Sequence, residues 1–378
     1  MPIKVVLVAG ARPNFMKIAP LWSEMNRLPS DFEPIILHTG QHYDYEMSKV
    51  FFEDLDLPEP HYFLGVGSGT HAEQTGKIMI DFERVIQNEN PDLVVVFGDV
   101  NSTLACSVTA KKLSIPVAHV EAGLRSFDMT MPEEINRKVT DSISDILFTP
   151  SKDGDENLIR EGVERNRIHF VGNIMIDSLI TILKRIDPSY EDKVFQKFGL
   201  QRNHFVLVTL HRPSNVDDKN DLWRIMNFLN TLSLKIPVIF PVHPRTKKNI
   251  NGFDSGFASN RDFKVLEPLR YKEFITLEKY SKFILTDSGG IQEETTYLNV
   301  PCLTLRTTTE RPITITQGTN ELVSMGNIDG RMDLILSGNW KKGGTPELWD
   351  GKSAKRIVNI LKKLELREVR PDVFNNAL

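Results

Sequence analysis

The chain has 378 residues, 40% hydrophobic and 25% charged, and a formal net charge of -4. This is the make-up of a soluble globular protein too long for one simple core, so two domains are expected. The slight acidity and dispersed Lys and Arg argue against nucleic acid as a partner, and no apolar stretch approaches the roughly 20 residues that span a bilayer, so no membrane is expected either.

Met1 leads directly into the strand-like Ile3-Lys4-Val5-Val6-Leu7-Val8 with no signal-peptide pattern, which predicts a cytoplasmic protein. Short runs of Val, Ile and Leu then alternate with longer amphipathic stretches, the pattern of parallel strands buried on both faces and joined by helical crossovers. The expected class is therefore α/β, with strands at 3–9, 33–38, 92–97, 116–120, 145–149 and 168–171. A connecting stretch, 174–203, follows Gly172-Asn173 and contains an Asp187-Pro188 break; strands resume at 204–210, 236–242, 262–267, 282–286 and 300–305. Two similar sheets in series are implied. Near the end, Ala354, Ile357, Val358, Leu361 and Leu364 follow helical spacing and give a last helix one apolar face. Cys106 and Cys302, the two cysteines, fall in an expected helix and an expected buried strand, which suggests neither a disulfide framework nor a metal cluster.

In open parallel sheets, ligands bind beyond the carboxyl ends of the strands, and two such sheets facing each other would form a cleft for a nucleotide and a reacting group. The first strand ends in Gly10-Ala11-Arg12-Pro13-Asn14-Phe15-Met16-Lys17, a Gly turn with two cations near a helix start, suited to an anion. It lacks the glycines of a dinucleotide fingerprint, which counts against a nicotinamide enzyme. Arg12 and Lys17 are equally compatible with plain surface charge. Strand 92–97 runs into Gly98-Asp99, strand 116–120 into Glu121-Ala122-Gly123-Leu124-Arg125, and Pro132-Glu133-Glu134-Ile135-Asn136-Arg137 reads as a helix start. Carboxylates converging in one site push their pKa values apart and so yield an acid and a base near neutral pH. The structural alternative is capping for Glu133 and Glu134 and a salt bridge from Glu121 to Arg125 or Arg137.

In the second half, strand ends carry His211-Arg212-Pro213 and His243-Pro244-Arg245, candidate acid–base histidines or simply polar loop residues. Thr286-Asp287-Ser288-Gly289-Gly290-Ile291-Gln292-Glu293-Glu294 passes from strand through two glycines to helix, a ready phosphate site with Glu294 a turn further on for ribose hydroxyls. The next strand ends at Arg306-Thr307-Thr308-Thr309-Glu310-Arg311-Pro312, placing Arg311 where a diphosphate would pair with it.

Taken together and in this order, these segments resemble the non-hydrolysing UDP-N-acetylglucosamine 2-epimerases over essentially the whole chain. The carrying residues are Gly10 to Lys17, Gly98-Asp99, His119 to Arg125, Pro132 to Arg137, His211-Arg212, Asp287 to Glu294 and Thr309 to Pro312. The resemblance implies two Rossmann-like domains of the glycosyltransferase-B-like kind, 1–172 and 173–364, with a C-terminal helix at about 365–378 packing back on the first, and a homodimer. It implies catalytic roles for Asp99, Glu121, Glu133 and His211, of which Asp99 and Glu133 are the proton-transfer candidates. Arg12, Lys17, Arg137, Phe274, Ser288, Gly289, Gly290, Glu294 and Arg311 are implied to bind the substrate, UDP-N-acetylglucosamine. A base removes the C2 proton while UDP leaves C1, giving 2-acetamidoglucal, and UDP adds back with C2 protonated on the other face; no NAD or metal is needed.

The chain departs from the family in two places. The loop Gly40-Gln41-His42-Tyr43-Asp44-Tyr45-Glu46-Met47 lacks a basic residue found in many bacterial members, which argues against a second, activating nucleotide-sugar site. Thr307 and Ile313 stand where the family has acids, and relatives acting on UDP-2,3-diacetamido-glucuronate share the loop type, so that sugar is an alternative. A nucleotide-sugar-dependent glycosyltransferase, a hydrolysing epimerase and a non-catalytic sensor are the other readings; the last need not keep Asp99, Glu121, Glu133 and His211.

Overall fold

The computed structural model describes residues 1–40, 52, 54–242, 244–250 and 260–364. It divides into two compact units, one formed by Met1–Thr181 with the segment from Glu347 onward, the other by Ile182–Pro346.

The first unit is built on seven parallel strands, β1 (Ile3–Ala9), β2 (Phe32–His38), β3 (Tyr62–Phe63), β4 (Leu93–Phe97), β5 (Val117–Val120), β6 (Ile146–Thr149) and β7 (Ile168–Phe170), in the order β3-β2-β1-β4-β5-β6-β7. Its helices are α1 (Arg12–Asn26), α2 (His71–Glu89), α3 (Asn101–Lys112), α4 (Pro132–Ile143), α5 (Lys152–Arg160) and α6 (Ile174–Leu183). Val6, Val8, Val94 and Val96 share one core with Ile78, Phe82 and Ile86 of α2 and Ala105, Cys106 and Ala110 of α3. That is the alternate-residue pattern of strands covered on both faces.

The second unit repeats the plan with β8 (Val206–Thr209), β9 (Val238–Pro241), β10 (Phe263–Leu266), β11 (Phe283–Thr286), β12 (Cys302–Leu305) and β13 (Asn320–Val323), ordered β10-β9-β8-β11-β12-β13. Its helices are α7 (Pro188–Phe198), α8 (Pro213–Val216), α9 (Lys219–Ser233), α10 (Pro244–Ile250), α11 (Tyr271–Lys279), α12 (Gly289–Leu298), α13 (Ile313–Thr316) and α14 (Ile328–Leu336). Along β8 and its approach, Val206, Val208 and Leu210 join one core with α9 and α14. Phe205 and Leu207 join the other, with α7, α11 and α12. Both sheets reverse their strand order beside the first strand of the unit, which puts the switch point at β1/β4 and at β8/β11.

The chain returns to the first unit earlier than the expected 364/365 boundary and leaves it later than 172/173. The last described helix, α15 (Ser353–Leu361), buries Ala354, Ile357, Val358 and Leu361 as expected from their spacing. Asp177 of α6 accepts from the Ser353 amide at 3.1 Å and the Ala354 amide at 2.8 Å, satisfying donors that the helix start leaves open. Trp349 Nε1 donates to the Pro150 carbonyl at 3.0 Å, and Lys362 pairs with Asp31 at 2.7 Å. Gly172 (φ +84°) sits so close to this returning segment that a Cβ would lie 2.1 Å from the Leu348 carbonyl oxygen. The expected helix at about 365–378 lies outside the described residues, as do His42 with its loop, His243 and the side chains of Arg12 and Arg245. Among the described residues no helix is long and apolar enough to cross a membrane.

Candidate active site

In the first unit, β4 and β5 deliver their chain ends side by side, the Gly98 amide donating to the Val120 carbonyl at 3.1 Å. Gly98 (φ +65°) turns the chain and Asp99 follows, its carboxylate paired with Arg137 of α4. Arg137 is also held by Glu134 at 2.7 Å. Glu134 further accepts the amides of Ser126 at 2.9 Å and Phe127 at 3.1 Å. Burial works against its charge, but the Ser126 amide and the Arg137 guanidinium outweigh it and hold the carboxyl below its ordinary range.

Glu121, just past β5, adopts φ +77°, a costly backbone region for a residue with a side chain. Its buried carboxylate pairs with Lys17 of α1. The alternative partners are committed elsewhere: Arg125 to Asp141 at 2.7 Å and Glu161 at 2.6 Å, Arg137 to Asp99 and Glu134. Space forces the arrangement, since a Cβ on Gly98 would lie 2.9 Å from Lys17 Nζ and 3.8 Å from Glu121 Oε2. Asp99, Glu121, Lys17 and Arg137 are therefore gathered around one glycine. Glu133 occupies the first turn of α4, half-buried, and makes no hydrogen bond or ion pair with another described residue. It lies four residues before Arg137 and so on the same helical face.

Behind this cluster stands a support that the sequence motifs do not announce. His119, fully buried, places Nδ1 2.6 Å from Asp141 Oδ1 and Nε2 2.8 Å from the Gly98 carbonyl. Each ring nitrogen thus faces an oxygen, which fixes the plane of the imidazole between α4 and the loop at Gly98. Asn14 ties the loop from the other side, accepting the Gly10 and Ala11 amides at 3.1 and 2.8 Å and donating to the Phe97 carbonyl at 3.0 Å.

In the second unit the carboxyl ends of β8 and β11 meet in the same way. Asp287 is fully buried and accepts from the amides of His211 at 3.1 Å and Arg212 at 2.9 Å, and from Asn215 Nδ2 at 3.0 Å. His211 Nδ1 lies 2.9 Å from Asp287 Oδ1, fixing the ring, whose side chain is 42% exposed. Burial opposes the Asp287 charge, yet the His211 hydrogen bond and its companions keep the carboxyl below the ordinary range. Ser288, Gly289 and Gly290 lead into α12 as expected, and the first-turn amides of that helix have no acceptor within it.

Arg311 lies over this turn: a Cβ on Gly289 would come 2.5 Å from its Nη1. The guanidinium is held by Glu293 at 2.9 Å and by Glu310. Glu294 is deeper than a surface ribose acceptor, only 3% exposed, and takes the Tyr271 hydroxyl at 2.6 Å. Burial pushes its carboxyl up to about 7, against the pull of Tyr271 and Glu278. Phe274 of α11 is half-buried against the core that includes Leu277 and Ile291. Among the described residues no group of His, Cys, Asp and Glu is arranged to hold a metal ion.

The chain that builds these two clusters matches, over residues 24–362, a family model described as UDP-N-acetylglucosamine 2-epimerase. The chain belongs to the UDP-N-acetylglucosamine 2-epimerase family. The members it resembles are isomerases. It is 45% identical over 368 residues to the UDP-N-acetylglucosamine 2-epimerase of Methanocaldococcus jannaschii, covering 95% of this chain and 99% of that one. The crystal structure of the Methanocaldococcus jannaschii enzyme in complex with UDP-GlcNAc and UDP superimposes with a TM-score of 0.85 over the same shares of the two chains. The UDP-2,3-diacetamido-2,3-dideoxy-D-glucuronate 2-epimerase of Pseudomonas aeruginosa is 40% identical, over 96% of this chain and all of its own. These matches support the glycosyltransferase-B-like pair of parallel-sheet domains expected from the sequence.

Proposed function

We propose that this chain epimerises UDP-N-acetylglucosamine reversibly at C2, giving UDP-N-acetylmannosamine by elimination and re-addition of UDP. The observation that carries this reading is a set of three acids: Asp99 and Glu121 beside Gly98, each paired with a buried cation, and Glu133, without a partner among the described residues, in the first turn of the helix that carries Arg137. Inverting a carbon that carries only one acidic hydrogen requires proton donors and acceptors on both of its faces. In the forward half, a base takes the C2 proton, the C–H pair forms the C1=C2 double bond, and the C1–O pair leaves with UDP as 2-acetamidoglucal forms. In the return half, UDP attacks C1 while C2 takes a proton on its opposite face. The sequence of steps is redox-neutral and calls for no oxidant.

Asp99 and Glu133 are assigned the proton transfers, and Glu121, neutralised by Lys17, the orientation of the sugar. His211, with Arg12, the Ser288–Gly290 turn and Arg311, takes the charge that develops on the departing diphosphate. Glu294 takes the ribose hydroxyls, and Phe274 lines the uracil end. The product serves as a precursor for surface polysaccharide in this reading, and the protein works in the cytoplasm as a homodimer. The exposed Phe127, Met129, Ile135 and Val139, the last two four residues apart on α4, are suited to such an interface.

The 40% identity to the diacetamido-glucuronate enzyme favours one second reading, the same chemistry on that sugar. Incubating the purified protein with each nucleotide sugar in turn, with no acceptor present, and separating the products by chromatography tests both. Formation of UDP-N-acetylmannosamine from UDP-N-acetylglucosamine supports the first. Turnover of the glucuronate nucleotide alone supports the second, and release of free N-acetylmannosamine would replace both with hydrolysis.

A further inference from the structure

Glu278 is a fully buried acid on α11, and neither of its oxygens meets an N–H or O–H donor from the described residues apart from the neighbouring carboxyl group. It lies seven residues after Tyr271, hence on the same helical face, and that face meets α12 at Glu294. Two carboxyl groups buried against each other cannot both be ionised. Tyr271 already gives its hydroxyl hydrogen to Glu294, so the anion is better supported on Glu294 and the shared proton belongs to Glu278.

We propose that Glu278 is a positioning residue for nucleotide binding: as a neutral acid it donates to Glu294, and Glu294 presents the single negative charge of the pair to the ribose hydroxyls. This rests on Glu294 being the ribose acceptor. The inference deepens that role, because Glu294 is too buried to hold a charge without help. Burial drives the Glu278 carboxyl well above its ordinary range, while on Glu294 the hydrogen bonds from Tyr271 and Glu278 oppose burial and leave it at about 7. The other titratable groups facing the pair are Glu293, neutralised by Arg311, and Cys302 of β12, whose thiol burial keeps protonated. Losing the Glu278 donor moves the Glu294 titration upward, so that near neutral pH the ribose meets an uncharged acid.

The test is calorimetric binding of UDP and of 2′,3′-dideoxy-UDP from about pH 5.5 to about pH 8.5, a window centred on the Glu294 titration at about 7, for wild type, Glu278→Gln and Glu278→Met. Wild type is expected to prefer UDP and to weaken as pH falls through about 7. Glu278→Gln, whose amide still donates, keeps that profile. Glu278→Met shifts its midpoint upward and, for a displacement of about one pH unit from about 7, binds UDP roughly fivefold more weakly at pH 7 and nearly tenfold more weakly at about pH 5.5, with KM affected and kcat at saturation nearly unchanged. Wild-type affinity and midpoint in Glu278→Met, with dideoxy-UDP still disfavoured by wild type, would overturn the proposal and leave the ribose assignment standing. Equal affinity of wild type for the two nucleotides would remove that assignment and this one with it. Should Glu278→Met not fold, infrared difference spectra of wild type and Glu278→Gln decide: a carboxylic-acid carbonyl band at pH 7 present only in wild type supports the proposal, and its absence from wild type overturns it.

Discussion

Lys17 and Glu121 form a buried ion pair against the bare α-carbon of Gly98, where a Cβ would stand 2.9 Å from the lysine nitrogen. One glycine thus admits the cation that makes a buried, backbone-strained glutamate tolerable. Gly98→Ala adds a side chain at φ +65° and pushes Lys17 away, so activity should fall and the protein should unfold earlier in urea. Lys17→Met takes from the buried Glu121 the cation paired with it, a change of about 3–5 kcal/mol. The double variant Lys17→Met/Glu121→Gln should recover much of that stability without recovering turnover, a result that equilibrium unfolding and a rate assay check together.

The His119–Asp141–Arg125 chain predicts a purely supporting role. Asp141→Asn removes the buried charge that holds the His119 ring and the Arg125 guanidinium in place. At neutral pH the unfolding free energy should drop by about 3–5 kcal/mol, and the difference from wild type should shrink in acid. Asp141 itself is held below its ordinary range because His119 and Arg125 outweigh its burial, so the stability it brings is present at neutral pH and disappears as pH falls through that lowered value.

Asp177 behaves in the opposite sense. Burial raises its carboxyl to about 6 against the amide bonds of Ala354 and Ser353. The folded chain binds this proton more tightly than the unfolded one, so the contribution to stability is full below the unfolded value and is lost as pH rises through about 6. Relative to Asp177→Asn, which keeps an acceptor and has no charge, wild type should lose roughly 2–3 kcal/mol between about pH 4 and about pH 6.5. Asp177→Ala, lacking any cap, should cost about 1 kcal/mol against Asp177→Asn and should speed hydrogen exchange in α15 selectively.

Gly289→Ala should strike the nucleotide end. The new methyl group lands 2.5 Å from Arg311 Nη1 and 2.9 Å from Glu310 Oε1, in a turn with little room to yield. UDP affinity should fall by about tenfold or more, the equivalent of one good charge-assisted hydrogen bond, while the melting temperature changes little. Calorimetry and thermal unfolding of the same sample separate the two effects.

Most strands were legible because each is a run of β-branched and aliphatic residues buried on both faces. The exceptions are instructive: β3 is two residues at a sheet edge, and β13, Asn320–Val323, carries two polar residues in four. The apolar face of α15 was readable from its spacing, whereas its membership of the first unit depends on Asp177, 176 residues away in sequence, reaching the Ser353 amide. The site motifs were legible where parallel strands end, since that is where polar residues interrupt apolar runs. Glu121 with Lys17 and Glu278 with Glu294 were not paired by inspection, because buried ionic partners from different elements leave no local pattern. Asp141 sits four residues after Arg137 in an ordinary helical stretch and carries no mark of its tie to His119.

Asp99→Asn and Glu133→Gln should each lower kcat by about 10² to 10⁴, yet leave UDP binding intact, since the nucleotide is assigned to the other cluster.

The central claim is proton removal at C2 of a nucleotide sugar that then regains its UDP. Proton NMR of the purified protein with UDP-N-acetylglucosamine in deuterated water, following sugar H2 and the anomeric signals, tests it most directly. The account predicts UDP-N-acetylmannosamine carrying deuterium at C2, with the label also entering the UDP-N-acetylglucosamine pool as the reaction reverses. Epimerisation with C2–H fully retained, or no change in either signal, would contradict it.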